Sequence, residues 1–341
     1  MRTPVPTLLL ALLPYAAAPQ QARAQAPRLA GWNTDFATLA EGAPARNELR
    51  LARGLAYLPE LSLRDGVVEF DLPSPTRGLF VGVAFRMQSA SDYEIVYFRA
   101  PDEGRWGEIQ YQGVWQGETT WQLYPGEGYQ ARLPEETRGP LHVRLVVSGR
   151  RADVYLNGAA EPALRIPELK RTPAPGAVGF WTVSVGNPQG MTAVSGLRVQ
   201  QGVATPLPRV PLPATPRGQL VRWRVSGRLP APDSIAPPRE LTPEMARAVE
   251  DGYVVEAEGS GLVNLTRAVG NPAGAQRSNV FGGAGWGLAL ARVVLVSDRA
   301  QVKRLRLGYS EGAGVFLNGA RVFAGSNAYG RVPGALGEVR P

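Results

Sequence analysis

The 341-residue sequence contains no cysteine, a single histidine (His142), and lysine only at Lys170 and Lys303. Without cysteine there are no disulfides, no thiolate metal sites and no lipid-modified cysteine anchor, so the fold must hold by burial alone. One imidazole leaves no second for a His-pair metal site, and His142 lies mid-strand in a surface-like alternation, a poor setting for a general base. Past the first 24 residues no segment approaches twenty consecutive apolar residues, so no transmembrane segment is expected once that stretch is removed. Helical periodicity is also scarce. Thr242 followed by Pro243 marks the one convincing helix, running to about Glu250. The formal charge of +8 comes almost wholly from arginine dispersed through strands and loops. Dispersed arginine argues against nucleic acid as a partner and reads as codon usage.

What is present is turn chemistry and alternation. With 40 glycines and 31 prolines among short apolar runs, the chain reads as all-β, with length enough for two domains that each bury a core. The clearest unit is Leu141 to Gly158, LHVRLVVSGRRADVYLNG. Leu141, Val143, Leu145 and Val147 fall on one face, and a Ser-Gly-Arg-Arg turn leads into a return strand ending at Asn157-Gly158. KRLRLGYSEGAGVFLNGARVF (Lys303 to Phe323) repeats the figure, placing VYLNG and VFLNG at equivalent positions of two β-sandwich (jelly-roll) domains.

Four segments follow. Arg2, an apolar run from Val5 to Ala18, and Ala22-Arg23-Ala24 read as a signal peptide over residues 1–24, cleaved before Gln25, so export to the periplasm or outside is expected. Residues 25–201 form the first sandwich. Trp32 and Phe36 anchor an entry strand and loop, and strands are expected at Gly66–Leu72, Leu79–Met87, Tyr93–Arg99, Glu108–Trp115, Thr120–Tyr124, Leu141–Leu156, Gly176–Val185 and Met191–Val199. The proline-rich stretch 202–218 reads as a semi-rigid spacer. Residues 219–341 form the second domain, with strands expected at Leu220–Ser226, Tyr253–Glu258, Gly261–Arg267, Gly287–Val296 and Lys303–Tyr309.

The run DGVVEFDL, FVGVAFRM, DYEIVYFR, RLVVSGRRADVYLNG and GAVGFW resembles the concanavalin A-like, laminin G-type sandwich of secreted bacterial proteins, including the group named for 3-keto-disaccharide hydrolases. LRLGYSEGAGVFLNGARVFAGSNAY is similar to the galactose-binding-like jelly rolls attached to glycoside-active proteins. Such jelly rolls continue through further strands after the position of Tyr329, whereas this chain stops at Pro341, so an incomplete C-terminal sheet is expected. The resemblance implies fold more than activity.

Candidate residues divide by chemistry. Glu69 and Asp71 form an E-x-D on one strand face, the arrangement by which retaining glucanases of this fold place carboxylates. Pro73 stands where a further glutamate belongs, so the pair reads as a solvated face. Glu94 is expected between Arg86 and Arg99, whose charges would lower its pKa and make it a poor acid at neutral pH. Trp106, Tyr111, Trp115, Trp121 and Tyr124, with Tyr129 beside them, are the candidate ligand-binding set. Sugar rings stack on indole and phenol faces while hydroxyls meet polar neighbours such as Gln110, Gln112, Gln116 and Gln122. Trp286, Tyr309, Asn318 and Asn327 make a weaker set in the second domain, Asn318-Gly319 reading as turn chemistry. No cofactor is expected: Asp92 or Asp102 could join a structural calcium site, yet no dense acidic loop supports one. Asn264-Leu265-Thr266 fits a glycosylation sequon by coincidence.

Three functions remain open. The first is a secreted, non-catalytic protein binding glycan or polysaccharide. The second is a glycoside-active hydrolase of the keto-disaccharide group that uses Glu69, Asp71 or Glu94. The third is a laminin G-like protein-interaction module. A cleft with two facing carboxylates, a shallow aromatic strip, or a flat apolar patch would discriminate them.

Overall fold

The computed structural model describes residues 24–25, 31–35, 37–41, 47–75, 77–100, 107–120, 123–124, 126–134, 139–184, 190–202, 205–212, 217–230, 236–259, 261–269, 287–309 and 311–327. The expected leader up to Arg23, Phe36, Asp102, Trp106, Trp121, Gln122 and Trp286 lie outside them, as does the side chain of Asn327; Ala24, the last residue of the expected leader, lies in a strand.

Sixteen strands build the first part of the chain: β1 Ala24–Gln25, β2 Asn33–Asp35, β3 Thr38–Glu41, β4 Leu49–Ala52, β5 Gly54–Leu63, β6 Gly66–Leu72, β7 Leu79–Ser89, β8 Asp92–Arg99, β9 Glu108–Trp115, β10 Glu118–Thr119, β11 Gln130–Arg132, β12 Leu141–Ser148, β13 Arg151–Leu156, β14 Leu164–Ile166, β15 Gly176–Ser184 and β16 Met191–Gln201. They form two antiparallel sheets of eight strands. One runs β14-β13-β12-β6-β16-β4-β3, with β1 on β16; the other runs β10-β9-β8-β7-β15-β5-β2, with β11 on β9. The protein is thus mostly strand, and the first part is a sandwich.

Alternation decides which side chains face inward. Val68, Phe70 and Leu72 of β6, Leu141, Val143, Leu145 and Val147 of β12, and Val81, Val83 and Phe85 of β7 share one buried cluster with Val96, Phe98, Ile109, Tyr111 and Phe180. Trp32 packs on this core, its ring stacked 6.0 Å from Phe180. Each such side chain contributes about 1.5–3 kcal/mol through burial.

Most strands expected in the first sandwich are present, with three departures up to residue 218. β5 occupies a stretch expected to be loop. Pro59 disguised it in the sequence, and the register against β15 slips between Leu58 and Leu63, the kind of irregularity in which a strand proline is tolerated. The strand expected over Thr120 to Tyr124 does not form at its described residues: pairing with β9 ends at Thr119, Thr120 is irregular, and Leu123 and Tyr124 lie in a turn and a bend. The stretch 202–218, expected to be a spacer, is in part docked. Leu207 is buried against Val67 and Val146 on the outer face of the first sheet, and its carbonyl accepts from Arg151 Nη1.

The rest of the chain carries β17 Arg222–Val225, β18 Leu229–Pro230, α1 Pro243–Glu250, β19 Tyr253–Glu256, α2 Thr266–Val269, β20 Gly287–Leu288, β21 Ala291–Arg292, β22 Glu311–Leu317 and β23 Ala320–Asn327. These give one three-stranded sheet, β19-β17-β21, and two strand pairs, β18-β20 and β22-β23. Helix α1 forms where expected because the Thr242 hydroxyl accepts from Met245 N at 3.2 Å and Pro243 has no amide hydrogen to leave unpaired. Gly261 to Leu265 is loop leading into α2, which takes in Thr266 and Arg267, and Lys303 to Tyr309 is not a strand. VYLNG and VFLNG are therefore not equivalent. Asn318-Gly319 is the two-residue tip between β22 and β23, whereas Asn157-Gly158 opens a wider loop from β13 to β14. Both pairs adopt positive φ, which is the property that Asn-Gly encodes.

Candidate functional site

One end of the sandwich carries a cleft of about 310 Å³ lined by Arg86, Gln88, Trp115, Lys170, Arg171, Thr172, Ala174 and Arg267. That volume sits at the small end of ligand pockets.

Its walls follow from local irregularities. Arg86 lies where the register between β7 and β8 breaks, at φ +51, so its side chain leaves the alternation of the strand. Gly176 on the neighbouring strand makes room for this bulge, since a Cβ there would fall 2.5 Å from Met87 O. The Arg86 guanidinium is 2% exposed and donates from Nε to Arg64 O at 2.6 Å and from Nη2 to Asp65 Oδ1 at 3.1 Å and Gly149 O at 2.6 Å. Its Nη1 is buried with no hydrogen-bond partner.

Trp115 ends β9, and its indole lies back across Gly113, where a Cβ would meet the ring at 2.5 Å. The Arg171 and Arg267 guanidinium carbons each stand 5.3 Å from the indole centroid. Arg171 Nη1 donates to Val114 O at 2.5 Å and pairs with Asp92 at 3.3 Å. Lys170 Nζ lies 2.7 Å from both Glu168 and Glu258 and about 5 Å from the Tyr124 and Tyr129 ring centroids. Burial works against the Lys170 ammonium, but the two carboxylates outweigh it and push its pKa up to about 12. Arg267 Nη2 reaches Glu258 and the Lys170 carbonyl, both at 3.2 Å. Lys170 and Arg267 thereby join the sandwich to the later part of the chain.

Glu94 lies behind the cleft, fully buried. It accepts from the Tyr111 hydroxyl through Oε2 and from Arg171 N through Oε1 at 3.2 Å. The expected flanking by Arg86 and Arg99 is half corrected: Arg99 pairs instead with Glu108 at 2.6 Å, while Arg86 acts on Glu94 through its field. The expected acid pKa is overturned as well. Desolvation outweighs the Tyr111 hydrogen bond and the Arg86 charge, and the carboxyl rises to about 7.

The sequence-predicted residues are scattered. Glu69 and Asp71 lie on the outer face of the first sheet, Glu69 paired with Arg144 at 3.6 Å and Asp71 bonded to His142 Nδ1 at 2.7 Å. Tyr111 and Tyr124, expected as sugar platforms, are buried. The Tyr111 hydroxyl serves Glu94 and Lys170 N, and that of Tyr124 donates to Glu258 at 2.6 Å and accepts from Asn264. Burial of both rings beside carboxylates raises their pKa values. Gln110 and Gln112 are buried on the outer face of the second sheet, Gln110 accepting from Tyr97. Asn264 is 1% exposed and bonded to Thr266, which leaves its amide closed to glycosylation. Tyr309 packs edge-on against Phe323. Asp92 is engaged by Arg171 and the Gln116 amide, and among the described residues no group of three or more Asp, Glu or His side chains is placed to hold a metal. Of the candidate set, Trp115 alone lines the cleft among the described residues.

Lys170, Arg171 and Arg267 were missed. The one available signal was the Lys170-Arg171 pair in a chain with two lysines, inside a loop otherwise rich in proline.

No family model matches the chain, and no curated protein matches it. Among solved structures it is similar to the carbohydrate-binding module CBM66 from Bacillus subtilis, at 17% identity and TM-score 0.35 over 50% of this chain and 92% of that one. A protein of unknown function with galectin-like fold from Bacillus subtilis is similar at 15% identity and TM-score 0.36, over 50% and 89%. A beta-glucanase from Bacillus licheniformis is similar at 10% identity and TM-score 0.35, over 54% and 99%. Likeness at this level does not bear on function, which rests on the cleft's own chemistry.

Proposed function

We propose that this protein binds a glycan at the Trp115 cleft without hydrolysing it. The observation that carries this reading is the lining: among the described residues it holds a half-buried indole, four cationic side chains and two neutral polar ones, with no carboxylate. Glycoside hydrolysis ordinarily requires two carboxyl groups flanking the scissile bond. Here Glu69 and Asp71 are tied to cations on the outer face of the first sheet, and Glu94 is enclosed by Tyr111 and Arg171. Fixed donors around a half-buried indole suit a sugar, whose hydroxyls accept hydrogen bonds while its apolar C–H groups meet the exposed part of the ring. The leader-like N-terminus is the ground for proposing a site of action outside the cytoplasm. No helix among the described residues is long and apolar enough to cross a membrane.

The test is a glycan array probed with the protein, followed by titration of each hit by tryptophan fluorescence. Trp115→Ala is expected to weaken binding at least about tenfold while leaving cooperative unfolding intact. Undiminished binding by the folded variant would overturn the cleft assignment, and release of reducing ends from a bound glycan would replace binding by hydrolysis.

A further inference from the structure

We propose that the cleft selects an acidic glycan, one whose sugars carry carboxylate or sulfate groups. The inference rests on the glycan-binding reading and adds the charge of the ligand. Each lining cation has a carboxylate partner, but every one of those partners lies outside the lining: Asp65 for Arg86, Asp92 for Arg171, Glu168 and Glu258 for Lys170, and Glu258 for Arg267. The surface offered to a ligand is therefore one of donors. Arg171 and Arg267 hold two planar guanidinium groups over one indole, and such forks suit the paired oxygens of a carboxylate or sulfate.

Arg86 supplies an independent observation. Its side chain is 2% exposed, three hydrogen bonds hold its Nε and Nη2, and Nη1 is buried with none. An unmet charged donor in the interior is costly, and an anion held in the cleft that Arg86 lines would offset its charge through the field. The buried carboxyl whose field acts on Arg86, that of Glu94, is raised to about 7 by desolvation and so gives Arg86 only partial compensation near neutral pH.

Matched pairs of polysaccharides test this: polygalacturonate against its fully methyl-esterified form, and chondroitin sulfate against desulfated chondroitin, titrated with the full chain at two salt concentrations. The first pair reads carboxylate selection and the second reads sulfate. The expected result is at least tenfold tighter binding of polygalacturonate than of its ester, or of chondroitin sulfate than of desulfated chondroitin, which keeps its uronate carboxylates. That preference should fall about tenfold in Arg171→Gln or Arg267→Gln and should survive Arg304→Gln combined with Arg306→Gln, two exposed arginines outside the cleft. Because Arg86 also fastens two turns, it is left intact. Equal affinity within both pairs overturns the acidic preference while leaving glycan binding in place. A preference lost equally in the Arg304/Arg306 variant overturns it in favour of general polyanion attraction by a chain of net charge +8. Failure of all four polysaccharides and of the neutral array to bind would remove the glycan reading together with this one.

Discussion

Val143, Leu145 and Val147 on β12 are fully buried, whereas Val294, Leu295 and Val296, an equally apolar run, are 69%, 65% and 94% exposed. The difference lies in what each run has to face. Strand β12 sits inside an eight-stranded sheet with a second such sheet over it, so alternate side chains enter a shared core. From residue 217 onward the described sheets have two or three strands, and Val225, Val249 and Val255 are the buried apolar side chains there. Hydrophobic sequence is therefore no guarantee of a core; a second layer of matching size is needed. Where the two regions meet, contact is polar: Arg228 to Glu118 at 2.5 Å, Lys170 and Tyr124 to Glu258, and Asn264 to Tyr124.

Four substitutions probe that contrast. Phe180→Ala, in the sandwich core, is expected to cost about 3–5 kcal/mol in chemical denaturation, because the cavity it leaves is walled by Phe70 and Trp32. A loss below about 1 kcal/mol would mean the sheets close over the gap. Lys170→Met should cost about 3 kcal/mol, since it leaves Glu168 and the nearly buried Glu258 without their shared cation. It should also speed proteolysis after residue 217 relative to the sandwich; equal cleavage of both regions would show that this ion pair does not couple them.

Glu94 supplies the next effect. Its folded pKa of about 7 lies above the ordinary glutamate value near 4.3, so the folded state holds the proton more tightly. The resulting stabilisation is full at acid pH and is lost as pH rises toward and through 7, up to roughly 3 kcal/mol. Glu94→Gln should flatten this dependence between about pH 5 and 8, read from urea midpoints. A variant that keeps the full slope would assign it to another group. Smallest of all, Val296→Ser should change stability by less than about 0.5 kcal/mol, because the side chain already lies in water. A larger loss would mean that the later region buries this residue in solution.

Several elements could be read directly from residues. Alternation located β6, β8, β9, β12 and β13 nearly to the residue, and Thr242-Pro243 located α1, because these signals depend on neighbours a few positions away. Pro59 hid β5, since its tolerance depends on a bulge against β15 that lies more than a hundred residues along the chain. The candidate site was less legible. Tyrosine and tryptophan look alike as sugar platforms in a sequence, yet Tyr111 and Tyr124 are enclosed while Trp115 stands at the mouth of the cleft.

The sequence by itself determined the all-β character, the inward and outward faces of the strands and the turns at Asn157-Gly158 and Asn318-Gly319, because period-two patterning and left-handed φ are local properties. Only the tertiary structure decided which arginines of a dispersed population converge. Arg86, Arg171 and Arg267 stand as much as 181 residues apart in sequence numbering and meet around one cleft beside Trp115. It also decided the state of Glu94, since a carboxyl's pKa is set by what surrounds it in space, and burial there outweighs the cations that adjacency alone would emphasise.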